Sequence, residues 1–222
     1  SQVCATGIRC IQDAVQNIEC DAASVALVAT VDRLSNGPQL YYPDPSGVGG
    51  AGRHENLTLY NMQNDALGGH SMLECAENVA KKHQITTEEQ HELVILRREQ
   101  YGLALADDSA FLKRFMTLPF EVPSANYKMI VSEMNGDEGV FKSDPEKLAK
   151  LKPVLDWGTV TYGGQTHPAD GSACLVVTSP EKVDQLSSNK NITIRIRGFG
   201  MSRAKNGYMP EAPVPAAEKA LQ

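Results

Sequence analysis

The 222-residue sequence contains no apolar run approaching the ~18 residues that a membrane span requires. Its first residues do not form the basic-then-apolar pattern of a signal segment. Positive charge is not in excess, since 21 Lys and Arg against 27 Asp and Glu leave a formal net charge of −6. A general basic face for nucleic acid is therefore not expected, although Arg195, Arg197, Arg203 and Lys205 gather locally. The five cysteines, Cys4, Cys10, Cys20, Cys75 and Cys174, include no C-x-x-C pair. That argues against a structural zinc site or a thioredoxin-like redox pair, and the odd, irregular set fits a reducing compartment. No internal repeat or low-complexity tract interrupts the chain. What remains is an ordinary globular composition, 41% hydrophobic and 22% charged, long enough for one large domain or two modest ones.

The chain is organised around its first helix-sized segment. Ile8, Ile11, Val15 and Ile18 recur at the three- and four-residue steps of one buried helical face, with Arg9, Gln12, Asp13 and Gln16 largely elsewhere on the wheel. Cys4 falls at or just before the helix start, with Thr6 and Gly7 keeping the entry small. Free backbone N–H groups and the positive end of the helix dipole favour a thiolate at such a place, one recognised way to activate a thiol. The alternative is that Cys4 is one of five small, buried, inert cysteines.

Further on, Ser24–Val31 is a valine-rich apolar run, expected as a buried strand of a mostly parallel sheet, and helix followed by strand indicates an α/β layer. Asn36 to about Gly69 is rich in proline and glycine and is expected to be a loop-rich excursion or lid. Glu74–Lys82 reads as a helix with Cys75 and Val79 inward. Thr86-Thr87-Glu88-Glu89 is a helix start with a hydroxyl cap, continuing through Tyr101, and Ala104–Phe115 adds another helical piece. Val122–Ser132 is extended, and Asp144-Pro145-Glu146 caps a short helix. Gly158–Gly164 is expected as a strand entering a glycine turn, and Ala173–Thr178 as a second buried strand. Ser179-Pro180-Glu181 opens a helix, Ile192–Arg197 alternates strictly as a strand with one wet face, and Pro213–Leu221 begins a final helix.

Several short strings, in order along nearly the whole chain, resemble those of the thiolases, acyl-CoA acyltransferases with a cysteine nucleophile. Val3-Cys4-Ala5-Thr6-Gly7 stands where the family has Val-Cys-Ala-Ser-Gly. Ala76-Glu77-Asn78-Val79-Ala80 and Gly158-Thr159-Val160-Thr161 match family strings letter for letter, the second preceded by Leu151-Lys152-Pro153. Asp170-Gly171-Ser172-Ala173 and Ala212-Pro213-Val214-Pro215-Ala216 correspond to the Asp-Gly-Ala-Ala turn and the Gly-Pro-Val-Pro-Ala helix entry. Each string is weak alone; the order and spacing carry the resemblance.

The resemblance implies a partial thiolase-like layered α/β/α fold with an inserted loop domain. Residues 1–35 would belong to the N-terminal half and 36–165 to the loop domain covering the substrate. Residues 166–190 would return to the N-terminal half, and 191–222 would begin the C-terminal half. It implies Cys4 as the nucleophile that forms an acyl-enzyme thioester, with Met72, Thr166 and, more weakly, Ser71 against coenzyme A. Coenzyme A and acyl-CoA are then substrates, with no metal or resident cofactor. The family pattern further implies a homo-oligomer, dimer or tetramer, and a role in fatty acid metabolism in the cytoplasm or, in a eukaryote, the mitochondrial or peroxisomal matrix.

Departures accompany the matches. The family's Asn-Glu-Ala-Phe, Gly-His-Pro and Cys-x-Gly-Gly strings do not occur in these residues, so an internal portion of a longer chain is expected. The alternative is a catalytically incomplete thiolase-like subunit that binds coenzyme A or serves assembly. Ser71-Met72-Leu73, with His70 displaced, occupies the His-Met-Gly position. Gly163-Gly164-Gln165-Thr166 replaces Gly-Asn-Ala-Ser, keeping a hydroxyl but losing the asparagine. Val28–Ser35 replaces the Ala-Gly-Gly-x-Glu-x-Met-Ser segment, so the acyl preference of the pocket is open. Of the histidines, His54, His70, His83 and His91 are expected to be solvated and His167 to sit in a turn. Cys10, Cys20, Cys75 and Cys174 are expected to be core packing. Glu88-Glu89 and Asp107-Asp108 are expected to be surface or cap charge.

Overall fold

The computed structural model describes residues 2–65, 67–141, 144–166 and 169–222. The chain forms two compact units, Ser1–Tyr60 with Asp170–Gln222, and Asn61–Ala169. In the first unit α1 (Thr6–Glu19) precedes β1 (Val25–Asp32), β2 (Gln39–Tyr42) and β3 (Arg53–Asn56), and α2 (Leu57–Gln63) carries the chain onward. The second unit contains α3 (Met72–His83), α4 (Thr87–Ala104), α5 (Ala106–Ser109), β4 (Phe120–Pro123), β5 (Ile130–Met134) and α6 (Pro145–Ala149). The first unit is completed by β6 (Gly171–Thr178), α7 (Pro180–Leu186) and α8 (Pro213–Leu221). This is a mixed α/β fold, as expected.

The helix α1 packs on a two-stranded sheet of β1 and β6. These strands pair antiparallel, Val25 opposite Thr178 through Asp32 opposite Gly171, whereas a parallel arrangement was expected. Their burial differs as well. Side chains alternate between the two faces of a strand, and on one face Val28 and Val177 meet Ala14 in a core that also takes Cys10, Ile11, Val15, Ile18 and Ala26. On the other face Leu27 is 70% and Val31 78% exposed. The apolar run is therefore covered on one side in this chain, not on two. Ile8, expected on the buried helical face, is exposed, because it lies a turn beyond the reach of that core.

The stretch expected to be loop-rich holds an antiparallel hairpin of β2 and β3, in register from Gln39 opposite Asn56 to Tyr42 opposite Arg53. Its loop uses the glycines, with Gly49 and Gly50 at φ of 69° and 72°, conformations that glycine adopts without steric cost. Arg53 stacks over the Tyr42 ring at 4.6 Å, and Tyr42 donates its hydroxyl to Glu55 at 3.2 Å. Burial of the phenol and that carboxylate push the Tyr42 hydroxyl above its ordinary pKa.

In the second unit both long helices begin with reciprocal caps. Ser71 and Glu74 form the box at α3, and Thr86 and Glu89 form the box at α4. The Asp144 carboxylate accepts from Glu146 N and Lys147 N at the start of α6. The helical piece expected over Ala104–Phe115 is broken, because Asp107, Asp108 and Ser109, three of the four residues of α5, are left-handed, and a 3-10 turn follows at Leu112–Arg114. The extended segment expected at 122–132 is the antiparallel pair β4 and β5. Two expected strands are absent among the described residues: neither 158–161 nor 192–197 belongs to a sheet. Alternation identifies a chain able to pair, and a strand exists only where a neighbour pairs with it.

Candidate active site

Cys4 lies in one turn of 3-10 helix, Val3–Ala5, that leads directly into α1. The turn is held by the side chain of Thr6, whose Oγ1 accepts from Gln2 N at 2.8 Å and donates to Val3 O at 2.7 Å. Val3 has φ of 52°, a left-handed conformation costly for a β-branched residue and often kept where backbone strain serves a site. A Cβ at Gly7 would stand in ordinary contact, 3.4 Å from Thr30 Cγ2, so the helix start lies beside β1. No acidic residue occupies the first turn of α1 and no side chain caps it. The Thr6 N–H at its first position is taken by Val3 O within the 3-10 turn. The Cys4 side chain is exposed. Together these features present an exposed thiol in the turn that opens an amphipathic helix.

Of the other cysteines, Cys75 is fully buried in α3 and Cys10 is half-buried beside the α1 core, as core packing requires. Cys20 and Cys174 are exposed, correcting the expectation for both. Cys20 is the residue after the last turn of α1, and Cys174 lies on β6, whose side chains are mostly open.

The expected coenzyme A contacts all belong to the second unit. Ser71 is the N-cap of α3. Its Oγ accepts from Glu74 N at 3.1 Å and donates to Glu74 Oε2 at 3.0 Å, while its backbone N–H donates to the same carboxylate at 2.7 Å. The backbone N–H first and the hydroxyl second hold the Glu74 carboxyl below its ordinary pKa. Met72, the first residue of α3, is half-buried, and Thr166 is exposed two residues beyond the 3-10 turn Tyr162–Gly164.

The strap that leads to this turn is fixed by residues outside the expected site set. Glu77 is 2% exposed. Its carboxylate accepts from Thr159 N at 2.8 Å and Val160 N at 2.8 Å, and more weakly from Thr159 Oγ1 at 3.4 Å. From α4, Thr87 Oγ1 donates to Thr159 O at 2.8 Å and Gln90 Nε2 to Thr159 Oγ1 at 3.0 Å. His91 is buried, not solvated, and its Nε2 lies 2.7 Å from Oγ1 of the fully buried Thr161. His54 and His83 are exposed and His70 is half-buried; His167 lies outside the described residues. A cleft of about 520 Å³ beside the same strap is lined by Lys81, Ile85, Thr86 and Trp157, and by none of the expected site residues.

Elsewhere in the first unit, Asp170 accepts from Ser35 N at 2.9 Å and Ser35 Oγ at 2.5 Å. The hydroxyl first and the N–H second lower the Asp170 pKa. This bond ties the turn before β6 to the segment after β1. Among the described residues no three His, Cys, Asp or Glu side chains gather as a metal site, and no helix is long and apolar enough to cross a membrane.

The fold and the geometry at Cys4 define an α/β protein with an exposed thiol at the entry of an amphipathic helix. Comparison with known proteins carries this further. The model of the thiolase N-terminal domain matches residues 1–181. Acetyl-CoA acetyltransferase 2 of Arabidopsis thaliana is 30% identical over 230 residues, covering 100% of this chain and 54% of that protein. A probable acetyl-CoA acyltransferase of Staphylococcus aureus (strain COL) is 29% identical over 227 residues, with 100% and 56% covered. Human mitochondrial 3-ketoacyl-CoA thiolase, solved in complex with CoA, superposes with a TM-score of 0.79 at 28% identity, over 98% of this chain and 53% of that one. The chain belongs to the thiolase family, and it spans about half the length of these relatives.

Proposed function

We propose that the protein catalyses thiolase-type acyl transfer with Cys4 as its nucleophile. The Cys4 sulfur attacks the carbonyl carbon of an acyl-CoA thioester, forming a tetrahedral adduct. The adduct collapses as the coenzyme A sulfur leaves with its electron pair and takes up the proton given up by the Cys4 thiol, and the acyl group remains on Cys4 as a thioester. It then passes to coenzyme A in the degradative direction, or to the carbanion of acetyl-CoA in condensation. N–H groups at the head of α1 suit the oxyanion or thiolate that develops on the way. The observation that carries this reading is the exposed Cys4 in its strained turn at the start of α1, in a chain of this family.

Coenzyme A is assigned to the second unit, with Met72 and Thr166 against it. Ser71 acts there chiefly through the cap, since its hydroxyl is taken up by Glu74. The reaction as proposed uses no metal and no resident cofactor. A homo-oligomer is the assembly we assign, to be read by sedimentation of the purified protein. The cytoplasm or an organelle matrix is the compartment.

The test is acylation by acetyl-CoA followed by peptide mapping. An increase of one acetyl group, located on Cys4 and lost in Cys4→Ser, is the expected result. A protein that is never labelled at Cys4 would sink the nucleophile assignment. Acetyl-CoA binding without a thioester would favour a coenzyme A-binding or assembly subunit instead.

A further inference from the structure

We propose that Glu77 is a positioning residue of the coenzyme A site. Its buried carboxylate fixes the strap at residues 158–161 and so sets the turn that presents Thr166. The proposal rests on the acyl-CoA reading above and concerns how that ligand's site is held.

The strap runs between helices and lies in no sheet, so the N–H groups of Thr159 and Val160 have no ladder partner. Backbone N–H groups removed from water need acceptors, and here one side chain supplies both, 82 and 83 residues earlier in the sequence. A buried carboxylate is a costly acceptor unless its oxygens are well satisfied. Glu77 meets that requirement with the N–H groups of Thr159 and Val160 and the Thr159 hydroxyl, and among the described residues no cationic side chain pairs with it. The carboxylate therefore has one visible use, which is to hold backbone.

The surroundings are built to the same end. A Cβ at Gly158 would overlap Glu77 Oε1 and Cδ, so only glycine lets the carboxylate approach. Thr87 and Gln90 grip Thr159 from α4, and His91 grips Thr161. A Cβ at Gly163 would overlap the Leu148 side chain, which packs the following turn against α6. Three elements thus hold residues 158–161 and Gly163, and Thr166 follows three positions later. A ladder could slip by a register, but a carboxylate aimed at two successive amides cannot. The strap consequently delivers Thr166 to one place. The same helix that carries Glu77 begins at Met72, so a single carboxylate couples the placement of both expected contacts.

The test compares the full chain with Glu77→Gln, which keeps the shape but turns one acceptor into a donor facing donors. Amide hydrogen exchange over 158–162 should accelerate about tenfold or more, as loss of a hydrogen bond to a charged acceptor implies. The acetyl-CoA concentration giving half-maximal acylation of Cys4 should rise about tenfold while the limiting rate changes less than about twofold. Alkylation of Cys4 by iodoacetamide, which needs no coenzyme A, should be unchanged. Thr87→Val, a milder loosening of the same strap, should raise half-saturation about threefold, and it serves if Glu77→Gln does not accumulate as folded protein. Unchanged exchange over 158–162, or faster exchange with unchanged half-saturation, overturns the positioning role while leaving the acyl-CoA reading intact. A wild-type protein that acetyl-CoA never labels at Cys4 overturns that reading itself, and the positioning claim with it.

Discussion

Gly158→Ala places one methyl group where the carboxylate of Glu77 now lies. The φ of Gly158 is outside the left-handed region, so the backbone itself admits alanine, and the three atoms nearest the added methyl all belong to Glu77. That side chain is at once the far end of a glutamate and the buried acceptor of Thr159 N and Val160 N. Moving it breaks one or two hydrogen bonds to a charged group, each worth ~1.5–3 kcal/mol. Restricting the unfolded chain returns only about 0.4–1 kcal/mol, so the net loss is about 3 kcal/mol at the centre of a span from about 0.5 to about 5.5 kcal/mol. With a urea slope near ~3 kcal/mol/M, suited to a chain of this size, the midpoint falls by about 1 M. The sole tryptophan, Trp157, lies next to the substitution, and its fluorescence reads the unfolding of the second unit. A double-mutant cycle isolates the cause, because Glu77→Ala removes the three atoms nearest the new methyl and the Gly158→Ala penalty should drop below ~0.5 kcal/mol. An equal penalty in both backgrounds would place the fault in the backbone and refute the close-approach argument.

Three further outcomes follow from the same structure. Ser71→Ala and Thr86→Ala should each lower stability by about 1 kcal/mol, measured from urea midpoints, since each removes one half of a capping box; no change in either would mean that the boxes are not formed in solution. Asp170 has a lowered pKa in the fold, mainly through the Ser35 hydroxyl, so its contribution is full above the unfolded value of about 3.9 and is lost as pH falls through the lower folded value. The stability gap between wild type and Ser35→Ala, followed by circular dichroism, should accordingly shrink from pH 6 to about pH 2.5, and a constant gap would contradict it. Iodoacetamide should label Cys4, Cys20 and Cys174 in the folded protein and Cys75 only after urea, by peptide mapping, because Cys75 is 0% exposed.

What could be read from the sequence was what the chain decides locally. The caps at Thr86 and Asp144 and the helices behind them are set by three or four neighbouring residues, and the reading found them. The helix after Cys4 was legible for the same reason. Strands were less so, because the alternation at Ile192–Arg197 describes a side-chain pattern and not a partner. Gly158-Thr159-Val160-Thr161 has the composition of a strand, yet its amides are taken by a side chain. Between Asn36 and Gly69, proline and glycine punctuation concealed the β2–β3 hairpin, whose glycines form the loop and not the whole segment.

The candidate site divides in the same way. Cys4 is visible because its turn, its helix and its small neighbours are contiguous. Glu77 is invisible to hydropathy, since a charge on a helix is ordinarily a solvated charge, and the amides that keep it buried are more than eighty residues away. His91 misled for the same reason, lying on a charged helix yet facing Thr161 across 70 positions. One signal did point to the pair. The two strings that match the family letter for letter, residues 76–80 and 158–161, are the two that the carboxylate joins. Neither string explains itself, because a glutamate in one and a glycine and two amides in the other are a single interaction divided between distant segments. Pattern reading assigns residues to elements, whereas this site depends on a bond between elements, so the glutamate and the glycine have to be altered together to reveal what either one does.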